Sequence, residues 1–152
     1  MQETSSPITI LLAEDDDDDY FLIEEAFEES MLANHLIRVK DGEELMAYLF
    51  RREPYTDLAV YPWPGLILLD LNMPRKDGRE ALQELKASPE LRKIPVVVLT
   101  TSSSEEDIVN SYDLGVNSFI RKPVRFEEFL QVVKILGQYW FQIVRLPTSE
   151  SL

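Results

Sequence analysis

Apolar positions along the chain follow two alternating patterns. Short β-branched or leucine-rich runs at Ile8 to Ala13, Leu36 to Val39, Leu66 to Leu69, Val96 to Leu99 and Ser118 to Ile120 read as strands. Between them, helical stripes recur at Leu22, Ile23, Ala26 and Phe27, at Leu45, Met46, Leu49 and Phe50, at Ala81, Leu82 and Leu85, and at Ile108, Val109 and Tyr112. A last stripe of Phe126, Phe129, Val132, Val133 and Leu136 opens near Arg125. The alternation predicts five βα units, an α/β fold whose parallel sheet is covered on both faces.

Boundary residues agree with these elements. Ser103 and Glu106 have capping-box spacing at the start of the fourth helix, and Gly115 suits its left-handed end. Pro89 and Pro95 bracket the path from the third helix to the fourth strand. Two stretches exceed a minimal five-unit domain. The connection from Arg51 to Gly65, RREPYTDLAVYPWPG, is long, and the last helix is expected to run on through VVKILGQYWFQIVRLP. The expected layout is a tail at 1–7, one domain with its helical extension at 8–146 and a polar end at 147–152.

Composition narrows the partners. The 152 residues suit a single domain, with no room for a DNA-binding or catalytic output domain. A net charge of −13 repels phosphate backbones and anionic lipid, so nucleic acid and membrane surfaces are poor partners. No apolar run approaches the roughly 20 residues of a membrane span, and MQETSSP lacks signal-peptide character. Absence of cysteine excludes disulfides and thiolate metal sites, and the cytoplasm is the expected location.

The chemistry sits where strands run out. Glu14, Asp15 and Asp16 follow the first strand, Asp70 ends the third, Thr100 the fourth, and Lys122 follows the fifth. A parallel sheet gathers those ends on one edge, forming an acidic pocket with one hydroxyl and one ammonium. Clustered carboxylates repel each other and an incoming phosphoryl group, and a divalent cation resolves both conflicts. Mg²⁺, with Mn²⁺ or Ca²⁺ as substitutes, takes oxygen ligands of this kind. Asp15 and Asp70 are the leading side-chain ligands, Glu14 would act through water, and the Asn72 backbone carbonyl could complete the set. Lys122 and Thr100 would then neutralise a phosphoryl group transferred to Asp70.

Each part alone has a plainer reading. An acidic run is commonly a solvated helix start, which suits Asp17, Asp18 and Asp19. A strand-ending Asp or Thr is commonly a cap or turn residue. His35 reads as an ordinary turn residue. The joint placement of these groups at four strand ends is what points to a site.

ILLAEDD, LILLDLNMPRKDG, VVVLTTS and FIRKP, in this order, resemble the CheY-like receiver domain of two-component response regulators. The resemblance covers nearly the whole chain. It implies a flavodoxin-like (βα)5 fold with sheet order 2-1-3-4-5, and phosphorylation of an aspartate by a phosphohistidine of a sensor histidine kinase. It also implies roles: Asp70 as phosphoacceptor, Glu14 and Asp15 as the acidic metal pair, Asn72 as carbonyl donor, Thr100 as switch hydroxyl, Phe119 as switch aromatic and Lys122 as phosphate contact. Lys122 to Pro123 is then expected to be a cis peptide. Glu14 stands where Asp is frequent, Phe119 lacks a tyrosine hydroxyl, and Thr101 is bulkier than the alanine or glycine often found there. The long insertion and the tail are similar to small response regulators paired with bacterial phytochromes, best known from cyanobacteria.

The expected cycle draws Thr100 towards the phosphorylated Asp70 and lets Phe119 fill the vacated space. Self-phosphorylation and dephosphorylation would be the only catalysis. Tyr139, Trp140 and Phe141 either fold back on the domain or form a homodimer surface, and Trp63 either packs under its loop or meets the kinase. Two other functions remain open: a non-phosphorylated pseudo-receiver that only binds partners, and an aspartyl phosphohydrolase. Asn72 stands where the hydrolase would want a second acid.

Overall fold

The computed structural model describes residues 8–29, 34–100, 115–116, 118–121 and 126–136. Five parallel strands, β1 (Ile8–Ala13), β2 (Asn34–Val39), β3 (Leu66–Asp70), β4 (Val96–Thr100) and β5 (Ser118–Arg121), lie in the order β2-β1-β3-β4-β5. This is the predicted order. The strand order runs one way from β1 to β2 and the other way from β1 to β3, so a switch point between β1 and β3 opens a crevice at the carboxyl edge, where such sheets bind ligands.

Strand alternation builds two cores. Leu11, Ala13, Ile67, Leu69, Val96 and Val98 point to one face, where Leu45, Met46 and Leu49 of α2 (Gly42–Leu49) and Ala81, Leu82 and Leu85 of α3 (Gly78–Ala87) cover them. Ile10, Leu12, Leu66, Leu68, Val97 and Leu99 point to the other. There Ile23, Ala26 and Phe27 of α1 (Asp17–Glu29) and Phe129 of the C-terminal helix (Phe126–Leu136) close the layer. Because both faces are buried, the strands read as continuous apolar runs, and each fully buried Leu or Val contributes about 1.5–3 kcal/mol.

Helix starts are fixed by carboxylates. Asp16 accepts from the Asp19 amide at 2.9 Å at the head of α1, and Asp41 accepts from the Glu44 amide at 2.8 Å at the head of α2. Asp77 and Glu80 form a reciprocal capping box on α3.

Several expectations need correction. β2 begins at Asn34, two residues before the expected Leu36, so His35 is an exposed strand residue paired with Thr9 and not a turn residue. Phe50 lies past the end of α2 and is 42% exposed, with the Arg52 guanidinium 5.0 Å above its ring. Periodicity continues the α2 stripe through Phe50, but the chain leaves the helix there and enters a left-handed residue, Arg51 (φ 57°).

The long 51–65 connection is anchored on Tyr48 of α2. Tyr48, Tyr55 and Tyr61 meet in tilted and edge-to-face contacts with centroids 4.9–5.8 Å apart, Tyr48 Oη donates to the Pro62 carbonyl at 2.6 Å, and Arg51 Nη2 donates to the Tyr61 carbonyl. Trp63 is 45% exposed. Glu53–Pro54 is cis. Gly115 has the left-handed φ of 88° expected of it. The predicted fourth helix with its Ser103 and Glu106 box, the Lys122–Pro123 bond and the tail aromatics Tyr139, Trp140 and Phe141 lie outside the described residues.

Candidate functional site

The register of β1, β3 and β4 assembles the acidic pocket. Ala13 pairs with Leu69 and Asp70 with Leu99, so the residues following β1 stand beside the last residue of β3 at the carboxyl edge. Carboxylate oxygens of Glu14, Asp15 and Asp70 lie within 4.8 Å of one another. Glu14 is fully buried and Asp70 is 3% exposed, whereas Asp15 opens to solvent. Three carboxylates this close, two of them withdrawn from water, form a donor set suited to a hard divalent cation, for which oxygen ligands are preferred.

Backbone contacts hold these groups in place. The Asn72 amide donates to Asp70 Oδ1 at 3.0 Å, which fixes the carboxylate against the start of the following loop. Leu71 N donates to Leu99 O at 3.1 Å and extends the β3–β4 ladder one residue beyond Asp70. Glu14 N donates to Val39 O at 3.0 Å, and the Asp16 amide donates to Glu14 Oε2 at 3.2 Å. Asp16 itself is turned to the α1 amides and belongs to the helix cap, not to the carboxylate group.

The loop between β3 and α3 is clamped at both ends. Gly78 N donates to Leu71 O at 3.0 Å, and a Cβ on Gly78 would stand 2.4 Å from the Asp70 carbonyl oxygen. At the far side Gly42 N donates to Lys76 O at 2.8 Å, and a Cβ there would meet that oxygen at 2.2 Å. Buried Asp41 pairs with Arg75, which has a left-handed φ of 61°, and Lys76 pairs with Glu84. Each clamp glycine follows an Asp that caps the next helix, in KDGEE and RKDGRE.

The remaining predicted residues are placed by backbone alone or not at all. Thr100 ends β4 opposite Arg121, one position beyond the partner of Asp70, and Phe119 pairs with Val98 in β5. Lys122 lies outside the described residues.

Comparison with known proteins agrees with this geometry. The family model of the response regulator receiver domain matches residues 10–134. Response regulator Rcp1 of Synechocystis sp. is 42% identical over 147 residues, covering 97% of this chain and 98% of that protein. The crystal structure of the phosphorylated cyanobacterial phytochrome response regulator RcpA superposes with a TM-score of 0.85 at 44% identity, covering 94% of this chain and all of that one. The Mn²⁺-bound form of Rcp1 gives a TM-score of 0.83 at 42% identity, covering 93% and 100%.

Proposed function

The chain belongs to the response regulator receiver domain family, and we propose that it accepts a phosphoryl group on Asp70 from a sensor histidine kinase in a Mg²⁺-dependent reaction. The observation that carries this reading is the buried Asp70 carboxylate with Glu14 and Asp15 gathered around it at the sheet edge. Likeness to RcpA, a cyanobacterial phytochrome response regulator, supports a phytochrome-type kinase as the donor.

In the proposed transfer, an oxygen of Asp70 forms the new bond to phosphorus as the bond from phosphorus to the donor imidazole breaks, and the imidazole nitrogen leaves with its electron pair. A bound Mg²⁺ would supply charge neutralisation for the carboxylates and the transferring group. Glu14, Asp15, Asp70 and the Asn72 carbonyl are the residues that would hold it. The Asn72 amide orients Asp70, while Thr100 and Lys122 offer a hydroxyl and a cation to phosphoryl oxygens. Such catalysis is confined to the protein's own phosphorylation and dephosphorylation. Phosphorylation adds charge and acceptor oxygens at the ends of β3 and β4, and the rearrangement of Thr100 and Phe119 carries the signal to the β5 face.

Phosphotransfer from a labelled phytochrome-type kinase tests the reading. Label should pass to the wild type in Mg²⁺ and not to Asp70→Asn; equal labelling of both would refute it.

A further inference from the structure

Arg38 belongs neither to the carboxylate group nor to the apolar core, yet it contacts the residues around both. It is the penultimate residue of β2, paired with Leu12, and its side chain is 12% exposed. Nε donates to the Glu14 carbonyl at 2.9 Å, and the guanidinium lies 4.6 Å above the Tyr20 ring. Nη2 lies 2.8 Å from Asp17 Oδ1 in an ion pair without hydrogen-bond alignment. The well-directed bond is therefore the one to Glu14.

That bond controls an orientation. Glu14 C=O and Asp15 N belong to one rigid peptide plane. Val39 O accepts from Glu14 N on the preceding plane, so the last two residues of β2 hold Glu14 from both sides. Fixing the Glu14–Asp15 peptide sets the position of the Asp15 Cα and narrows the directions open to its side chain, whose carboxylate lies with those of Glu14 and Asp70. Stacking on Tyr20, whose hydroxyl donates to Glu24 Oε2 at 2.8 Å, keeps the guanidinium from swinging away.

We propose that Arg38 is a positioning residue for divalent-cation binding, orienting the Glu14–Asp15 peptide so that the three carboxylates converge. The proposal rests on the cation site of the proposed function. It makes a prediction opposite in sign to simple electrostatics. A guanidinium beside a cation site repels the cation, so removing its charge should tighten binding. Loss of orientation should weaken binding, as loss of outer contacts to metal ligands generally does.

The test is Mn²⁺ affinity by calorimetry, with amide hydrogen exchange of Asp15 and Asp16 in metal-free protein, for wild type, Arg38→Met and Arg38→Lys. Lys keeps the charge and most of the stem but cannot reproduce the planar fork. Both variants should bind Mn²⁺ about tenfold more weakly, with faster exchange at those amides. Unchanged affinity in Arg38→Lys with tighter binding in Arg38→Met would overturn the proposal, and Arg38→Lys alone decides it should Arg38→Met not fold. Wild type that bound no Mn²⁺ would count against the proposed function, and the exchange rates would still decide whether Arg38 orders the loop.

Discussion

Gly78 sits so close behind Asp70 that a single added carbon would stand 2.4 Å from the Asp70 carbonyl oxygen and 2.5 Å from Leu71 Cα. Both obstacles are backbone, and neither can rotate aside. Gly78→Ala should therefore move the segment that carries the acceptor carboxylate. The expected cost is about 2 kcal/mol of stability, measured by urea unfolding, together with slower phosphorylation of Asp70. A variant as stable and as fast as wild type would mean that the clamp yields without disturbing the site.

Asp41 and Arg75 form an asymmetric pair, with side chains 2% and 64% exposed. Asp41 caps α2 as well as meeting Arg75, whereas Arg75 holds its charge largely in water. Asp41→Ala should cost about 1–2 kcal/mol through loss of the cap, and Arg75→Ala less than about 1 kcal/mol because the exposed end of the pair is screened. Asp41→Asn should recover much of the loss, since an amide oxygen also caps a helix. Denaturant midpoints of the three variants check the ranking.

Alkaline pH should loosen the 51–65 connection. Burial pushes the Tyr48 phenol above its ordinary 10.0, partly offset by the nearby Arg51 guanidinium. A phenol whose folded pKa is raised contributes stability that is complete below the unfolded value and is lost as pH rises through the folded one. Stability should thus hold to about pH 10 and decline above it. Tyr48→Phe should shrink this alkaline decline while lowering neutral-pH stability by about 1 kcal/mol through loss of the bond to the Pro62 carbonyl. Thermal unfolding against pH, with ultraviolet detection of tyrosinate, follows both effects.

The sheet and the acidic group were legible in the sequence because their causes are local. Burial on both faces turns strands into apolar runs, and strand ends in a parallel sheet share an edge, so the sequence pattern alone groups Glu14, Asp15 and Asp70. What escaped depends on packing. Arg38 is a lone basic residue in a strand, and nothing in its neighbours announces a bond to the Glu14 carbonyl. Phe50 continues a periodicity that cannot register where a helix stops. Three tyrosines separated by seven and six positions carry no local sign of the ring contacts they make once the chain between them folds back. Gly42 and Gly78 each follow a capping aspartate, but the close backbone approach that requires them arises only on packing.

The central claim is that Asp70 is a metal-dependent phosphoacceptor. Intact mass after incubation with acetyl phosphate and Mg²⁺ tests it most directly, beside Asp70→Asn and a sample containing EDTA. The wild type should gain one phosphoryl group and neither control any. A wild type that stays unmodified, with short-lived adducts excluded by rapid quenching, or an adduct that persists in Asp70→Asn, would contradict it.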